Sequence, residues 1–573
     1  MQSLFSGRRI VLIVILTLAA APYFMRLGAS SLWDSNEAFY AETPREMIES
    51  GDYINPSFNY QPRFNKPPLC YWVVAGLYNL FGVSESIERL SIALAALVLI
   101  ATAYGLGRCA LSQEAGLMAA IGLAASPRFL MFSRRIMIDV YLAMFMALAL
   151  LLFMLAERRP ERRRSYLIAM YIALGLGVLT KGPVAALLPA LALLIYLAVR
   201  GRLKEIRSLM LPAGVAIVAL IVLPWYLAVY AEHGWFYIQT FILRDNLSRY
   251  AQRAWGPSRG PLFYLGVIGG DFFPWSLFLP ATFWFEARQR LGRNRRASRS
   301  QLVAPVSSEP VNPATTEGAQ GSPAVLLMIW VGVIVVFFSL SRSKEDLYIL
   351  PIYPAAAALV GMLIARWSTG ERSLDLPVQI TTSILAVVTM IGGSSALYLF
   401  GSGAGVYELR GATAIGAIAL TAGLIAIASL AVKKKFLAVF AAVSGVTVLN
   451  WVFVLWTLPD FERYKPTRAF CELLRSKPPD ALVGYYKLAL PSMTFYLQRP
   501  IFEYYDPEEL KAGFLSGKEV YCVMTAVEYE SLEQELRART YVLARRPIFQ
   551  VKLKSILDRA ELPQVFLVSN KAE

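Results

Sequence analysis

A single histidine, His233, is all the imidazole that 573 residues supply. A metal site built on several histidines is therefore excluded, although carboxylates could supply other ligands. The four cysteines, Cys70, Cys109, Cys471 and Cys522, include no CxxC pair, so there is no zinc ribbon. No GxxxxGK[ST] phosphate loop and no paired-histidine protease spacing occurs, which leaves an ATP-driven pump and a zinc protease without support. The formal net charge is +16, yet no basic face belongs to a soluble domain, so nucleic acid is not an expected partner.

What the chain has in excess is apolar surface. Its residues are 56% hydrophobic and its mean hydropathy is +0.49. Apolar runs of about 20 residues recur, each long enough to cross a ~30 Å hydrocarbon core. Buried backbone in lipid must bond within its own segment, and the alternating ~10-residue pattern of a β-barrel is missing. The pattern predicts a polytopic α-helical membrane protein. Thirteen runs qualify, at about 10–26, 87–107, 114–126, 137–156, 166–180, 183–199, 209–230, 262–285, 324–341, 348–365, 378–400, 412–432 and 436–457. The first, preceded by Arg8 and Arg9, reads as a retained signal anchor.

Four basic stretches, 157–165, 200–207, 286–300 and 433–435, are expected on the cytoplasmic side. Thirteen spans with the N-terminus inside put all four there, an independent check on the count. The same alternation makes residues 1–457 a membrane domain with a first periplasmic loop at about 28–85, and residues 458–573 a small periplasmic α/β domain. The latter carries β-prone runs at 481–486, 519–524 and 565–570, and an amphipathic helix is expected at 526–538. Cys471 and Cys522 fall in it, as a disulfide or as two core thiols. The Pro-, Ser- and Gly-rich stretch 301–323 reads as a disordered cytoplasmic connection.

Several cations break the charge rule by falling on the periplasmic side. They are Arg63 and Lys66, Arg134 and Arg135, Lys181, Arg244 and Arg249, and Arg342 and Lys344. Interfacial snorkelling explains any one of them. Cations from five loops, each beside Pro, Gly or aromatics, suit a pocket closing over a phosphate. Asp34 and Glu37 follow the first span in WDSNEAFY; Asp34 suits a functional role or the N-terminus of a helix at 36–49. Asp139 opens the fourth span, as a functional carboxylate or as the partner of a helix dipole or neighbouring arginine.

These stretches resemble a known family. WDSNEAFY with FNKPPLCYW, RRIMIDVYLAMF, DNLSRY with FFPWSLFLP, and SLSRSKEDLYILPIYP are similar, in that order, to the polyprenyl-phosphate-sugar glycosyltransferases of the GT-C class. The similarity runs to about residue 360. Length, span count and the C-terminal domain most resemble the lipid A aminoarabinose transferases, although Asn65 stands where better-known members have glutamate. The resemblance implies an undecaprenyl-phosphate-linked sugar donor, a lipid A phosphate acceptor, and an inner-membrane enzyme working at the periplasmic face. Lys66, Arg249, Lys344 and Tyr348 would hold the donor phosphate, with Arg63, Arg244 and Lys181 beside them. Asp34, Asp139 and Glu37 would be the catalytic carboxylates. A divalent cation, if one is used, would draw on Asp34, Glu37, Asp139 and His233. Protein O-mannosyl transfer from polyprenyl-phosphate mannose is the alternative activity.

Overall fold

The computed structural model describes residues 2–34, 36–241, 248, 250, 259–289, 323–400, 407, 409–549 and 561–572. The first half runs through α1 (Gln2–Ala20), α2 (Asn36–Ser50), α3 (Leu69–Phe81), α4 (Glu85–Ala110) and α5 (Gln113–Ala125). It continues with α6 (Pro127–Phe132), α7 (Ile138–Arg158), α8 (Arg163–Lys181), α9 (Val184–Val199) and α10 (Leu211–His233). Each of the thirteen expected apolar runs falls on helix. Among the described residues, eight helices meet both length and composition for crossing a membrane; Arg9–Tyr23, Leu69–Phe81 and Val184–Val199 are shorter apolar helices.

Local chemistry sets the boundaries. Ser84 caps α4 by accepting from the Ile87 amide, and Ser112 caps α5 by accepting from Ala115. Gly182, at φ +94°, ends α8, and Pro183 starts the next helix one residue later. Lys181 therefore stands at a corner between two spans. The helix Tyr353–Ser368 runs through the middle of the bundle, buried almost throughout. A Cβ on Gly361 would lie 2.5 Å from the Ala115 carbonyl oxygen, so only glycine lets this helix meet α5 backbone to backbone.

Three expectations change. The run 262–285 is not one helix: Phe263–Asp271 ends before Pro274, and a 3-10 turn, Trp275–Phe278, precedes further helix. Pro274 can donate no helical hydrogen bond there. The run at 348–365 begins as a 3-10 helix, Asp346–Ile352, containing Pro351. Within the first loop, Leu69–Phe81 forms an apolar helix of 13 residues, too short for a ~30 Å core. The expected disordered connection at 301–323 falls outside the described residues except for Pro323, which begins a helix.

The C-terminal region forms a five-stranded sheet in the order β4-β3-β5-β7-β6. The strands are β3 (Leu482–Tyr486), β4 (Phe502–Tyr504), β5 (Val520–Thr525), β6 (Tyr541–Pro547) and β7 (Gln564–Ser569); β1 (Ser57–Phe58) and β2 (Gln61–Pro62) make a small hairpin in the first loop. β3 pairs in parallel with β4 and β5, while β7 runs antiparallel to β5 and β6. The helix expected at 526–538 splits into Ala526–Glu530, capped by Thr525, and Gln534–Ala538. Only Leu536 of the two pieces is buried, so too little apolar surface spans the break to hold one helix across it. All four cysteines are buried free thiols.

This sheet region grips the first loop. Glu462 accepts from the Ser31 amide at 2.6 Å, Tyr496 Oη accepts from the Leu32 amide at 2.7 Å, and Lys465 donates to the Ser31 carbonyl. Farther along, Asn59 bonds reciprocally to the carbonyl and amide of Ile501, both at 2.8 Å.

Candidate active site

A polar cavity of about 460 Å³ opens where the first loop, the α6–α7 corner, the end of α8 and the 3-10 turn at Asp346–Ile352 meet. The first loop contributes Asn36, Tyr40 and Lys66; the corner, Phe132, Arg135 and Asp139; the end of α8, Lys181; the last segment, Glu345, Asp346 and Tyr348. Asp139 lies in the first turn of α7 and forms an ion pair with Lys181. The Lys181 ammonium also sits 4.8 Å from the centroid of the Tyr348 ring. Asp346 accepts from Arg128 at 2.8 Å, and Arg128 also reaches Asp271 at 3.2 Å.

Of the residues expected in the site, four meet in this cavity: Lys66, Asp139, Lys181 and Tyr348. Arg244 and Arg249 lie outside the described residues. Lys344 does not line the cavity; its ammonium donates to the Ser341 carbonyl at 2.5 Å, so the chain reverses there and presents Ser343 and Glu345 instead. The Arg63 guanidinium sits over the Phe39 ring, 3.7 Å from its centroid, and does not line the cavity.

The two acidic residues of WDSNEAFY are placed elsewhere. Asp34 accepts from the Ser492 amide at 2.8 Å and from Thr467 Oγ1 at 3.0 Å, both in the C-terminal region. Burial holds its carboxyl above the usual range, against the pull of those hydrogen bonds. Glu37 is clamped by Arg89 at 2.7 and 3.0 Å. Asn36 takes the place at the cavity that the sequence suggested for a carboxylate. His233 contacts Asn55 Oδ1 at 2.7 Å and packs against Phe64. The four candidate metal ligands thus occupy four different surroundings. Among the described residues no three His, Cys, Asp or Glu side chains gather as a metal site would need.

Arg135 was singled out by its charge on the wrong side but given no role; it lines the cavity. Its Nε is buried without a hydrogen-bond partner, and burial holds the guanidinium below its usual range. Such a group gains most from an arriving anion. Arg134, beside it, turns the other way and donates to the Pro22 carbonyl. Lys66, Lys181, Arg135 and the Tyr348 hydroxyl can thus stabilise a phosphate. Asp139, Glu345 and Asp346 add carboxylates that can orient hydroxyl or ammonium groups.

Lys465, which fixes the loop behind the cavity, carries a measurable signature. Burial pushes its ammonium down to about 8 from the usual 10.5. Between those values the unfolded chain binds more protons than the folded one, so stability rises with pH across that window. Denaturation midpoints should climb between pH 8 and 10.5, and Lys465→Met should flatten that climb.

Comparison with known proteins agrees with this architecture. A family model described as dolichyl-phosphate-mannose-protein mannosyltransferase matches residues 65–227. An Aquifex aeolicus protein is 28% identical over 499 residues, 86% of this chain and 87% of its own. An undecaprenyl phosphate-alpha-4-amino-4-deoxy-L-arabinose arabinosyl transferase of Pseudomonas fluorescens is 27% identical over 385 residues, 64% of this chain. That match spans 60% of the transferase's length. The crystal structure of ArnT from Cupriavidus metallidurans bound to undecaprenyl phosphate superposes with a TM-score of 0.73, at 22% identity, covering 99% of both chains. The fold is shared over essentially the whole molecule, and the resemblance to the GT-C class drawn from the sequence holds.

Proposed function

We infer that this chain, a bacterial membrane protein of the GT-C class and a lipid-linked-sugar-dependent glycosyltransferase, moves 4-amino-4-deoxy-L-arabinose from undecaprenyl phosphate to a phosphate of lipid A. The observation that carries the reading is the meeting of Lys66, Lys181, Arg135 and Tyr348 with Asp139 in one cavity, from elements far apart in the chain. The membrane domain is residues 1–457, the inner membrane holds it, and the cavity faces the periplasm together with the domain 458–573.

The donor is a phosphodiester. An acceptor phosphate oxygen attacks the anomeric carbon, the bond from that carbon to the donor phosphate oxygen breaks, and undecaprenyl phosphate departs with the bonding electrons. Charge grows on the departing phosphate, and preformed cationic and hydroxyl donors stabilise it most at that moment. Beside Lys181, an apolar groove of about 450 Å³ lined by Val178, Pro183, Val222, Tyr226 and Tyr230 offers a path for the polyprenyl tail.

The acceptor reading rests on the likeness to the arabinosyl transferases, and the first loop is compatible with it. Asn36 lines the cavity and cannot take a proton, while Asp34 is committed to the C-terminal region. A hydroxyl acceptor would need Asp139, Glu345 or Asp346 as its base at the moment of attack; a phosphate is already ionised and needs none. Asp139 then serves as an anchor for the sugar's ammonium group. Added aminosugar lowers the negative charge of the outer surface, weakening the attraction of polymyxin and other cationic peptides.

Mass spectrometry of lipid A from cells with and without the active protein tests this directly. Aminoarabinose should appear with the wild type. Asp139→Asn, assayed in membranes, should lower kcat/KM about 10–100-fold, the worth of a hydrogen bond to a charged group. Unchanged lipid A, with hexose appearing on secreted protein, would favour protein O-mannosyl transfer, a reading supported by the mannosyltransferase family match.

A further inference from the structure

A second cavity lies at the opposite end of the bundle. The helix Tyr353–Ser368 starts from the turn that lines the reactive cavity and ends at this one, through Trp367. Leu12 of α1, Ile121 of α5, Trp275, and Phe436 and Val443 of the helix Lys435–Val452 form other parts of its wall. Its volume is about 350 Å³, more than twice the ~150 Å³ of an apolar cavity that holds benzene and stays dry. The only hydroxyl in the wall, Ser368, already donates to the Ala365 carbonyl. The Trp275 indole N–H is buried without a partner. Water therefore finds almost nothing to bond to here, whereas a hydrocarbon chain meets apolar and aromatic side chains on several faces.

Cations flank the wall in sequence. Lys433 and Lys434 are exposed immediately before the wall residue Phe436, and Arg9 is exposed two residues before the wall residue Val11. Lys435, the next cation, is paired with Asp375 at 3.0 Å, and that carboxylate also accepts from Trp367 at 3.0 Å. Asp375 is thus neutralised by Lys435, while Lys433 and Lys434 face solvent. Basic pockets between membrane helices on the cytoplasmic side suit anionic headgroups.

We propose that this cavity binds one acyl chain of an anionic phospholipid, whose phosphate headgroup rests against Arg9, Lys433 and Lys434. The site depends on the membrane-spanning reading but not on the sugar chemistry at the other end, so either can fail alone.

The test uses the full chain in nanodiscs of phosphatidylcholine, with and without phosphatidylglycerol. Phosphatidylglycerol should raise the thermal midpoint by several degrees, and native mass spectrometry should show one retained phosphatidylglycerol per chain. Lys433→Gln with Lys434→Gln, two exposed positions that leave the packing intact, should abolish the preference for phosphatidylglycerol. Val443→Trp should displace the lipid altogether; the two lysine changes carry the test if that variant does not fold. Equal midpoints in both lipids, or a preference that survives loss of both lysines, would overturn the proposal.

Discussion

Lys66→Met should cut sugar transfer by about 10²–10³-fold, the loss seen when one preformed donor to a developing anion is removed. Lys66 comes from the first loop and Lys181 from the end of α8, so they approach the cavity from different elements. A departing phosphate held between them would lose one of its cations, and Arg63, three residues before Lys66, sits over the Phe39 ring and does not line the cavity. Because the charge grows during bond breaking, the deficit should fall mainly on kcat. Turnover of purified protein with a polyprenyl-phosphate sugar reads this directly; a near-normal kcat with raised KM would reduce Lys66 to a binding contact. Lys181→Met should be at least as damaging, since it also strips Asp139 of its ion-pair partner.

Arg89→Met should cost about 3–5 kcal/mol of stability, the usual penalty for leaving one member of a buried ion pair unpaired. Arg89 is 2% exposed and Glu37 is 1% exposed, so neither charge can turn to water. The guanidinium makes five hydrogen bonds, to both Glu37 oxygens and to the carbonyls of Leu27, Ser30 and Ser31, at 2.7–3.0 Å. Those carbonyls belong to the turn that delivers Asn36 and Tyr40 to the cavity. Denaturation in detergent, or the yield of monodisperse protein, measures the loss. The paired change Arg89→Met with Glu37→Gln should recover part of it, because it removes the stranded charge. If the single variant unfolds like the wild type, the pair does not hold the loop.

The cations were legible in the sequence for an energetic reason. A lysine or arginine on the side where positive charge is rare has to be retained by something, and Lys66, Lys181 and Arg135 stood out on that ground alone. Asn36 and Tyr40 carry no such mark, since a neutral polar residue in a loop fits almost any role. Asp34 misled because its partners, Thr467 and Ser492, lie 433 and 458 positions away, beyond any local spacing rule. The spans were readable because each apolar run is long and pays off independently in lipid. In the C-terminal region, β3, β5 and β7 announced themselves by apolar β-prone runs. Short β4 and the charged edge strand β6, with Arg545 and Arg546, did not, because their places depend on pairing with neighbours.

The amide of Ser31 finds its carboxylate partner 431 residues later in the chain. During synthesis, every span can enter the bilayer before that partner exists. Cells making a protein truncated ahead of residue 458 should accumulate a fully inserted but catalytically silent product. Competence would then arrive only after residues 458–573 have left the ribosome.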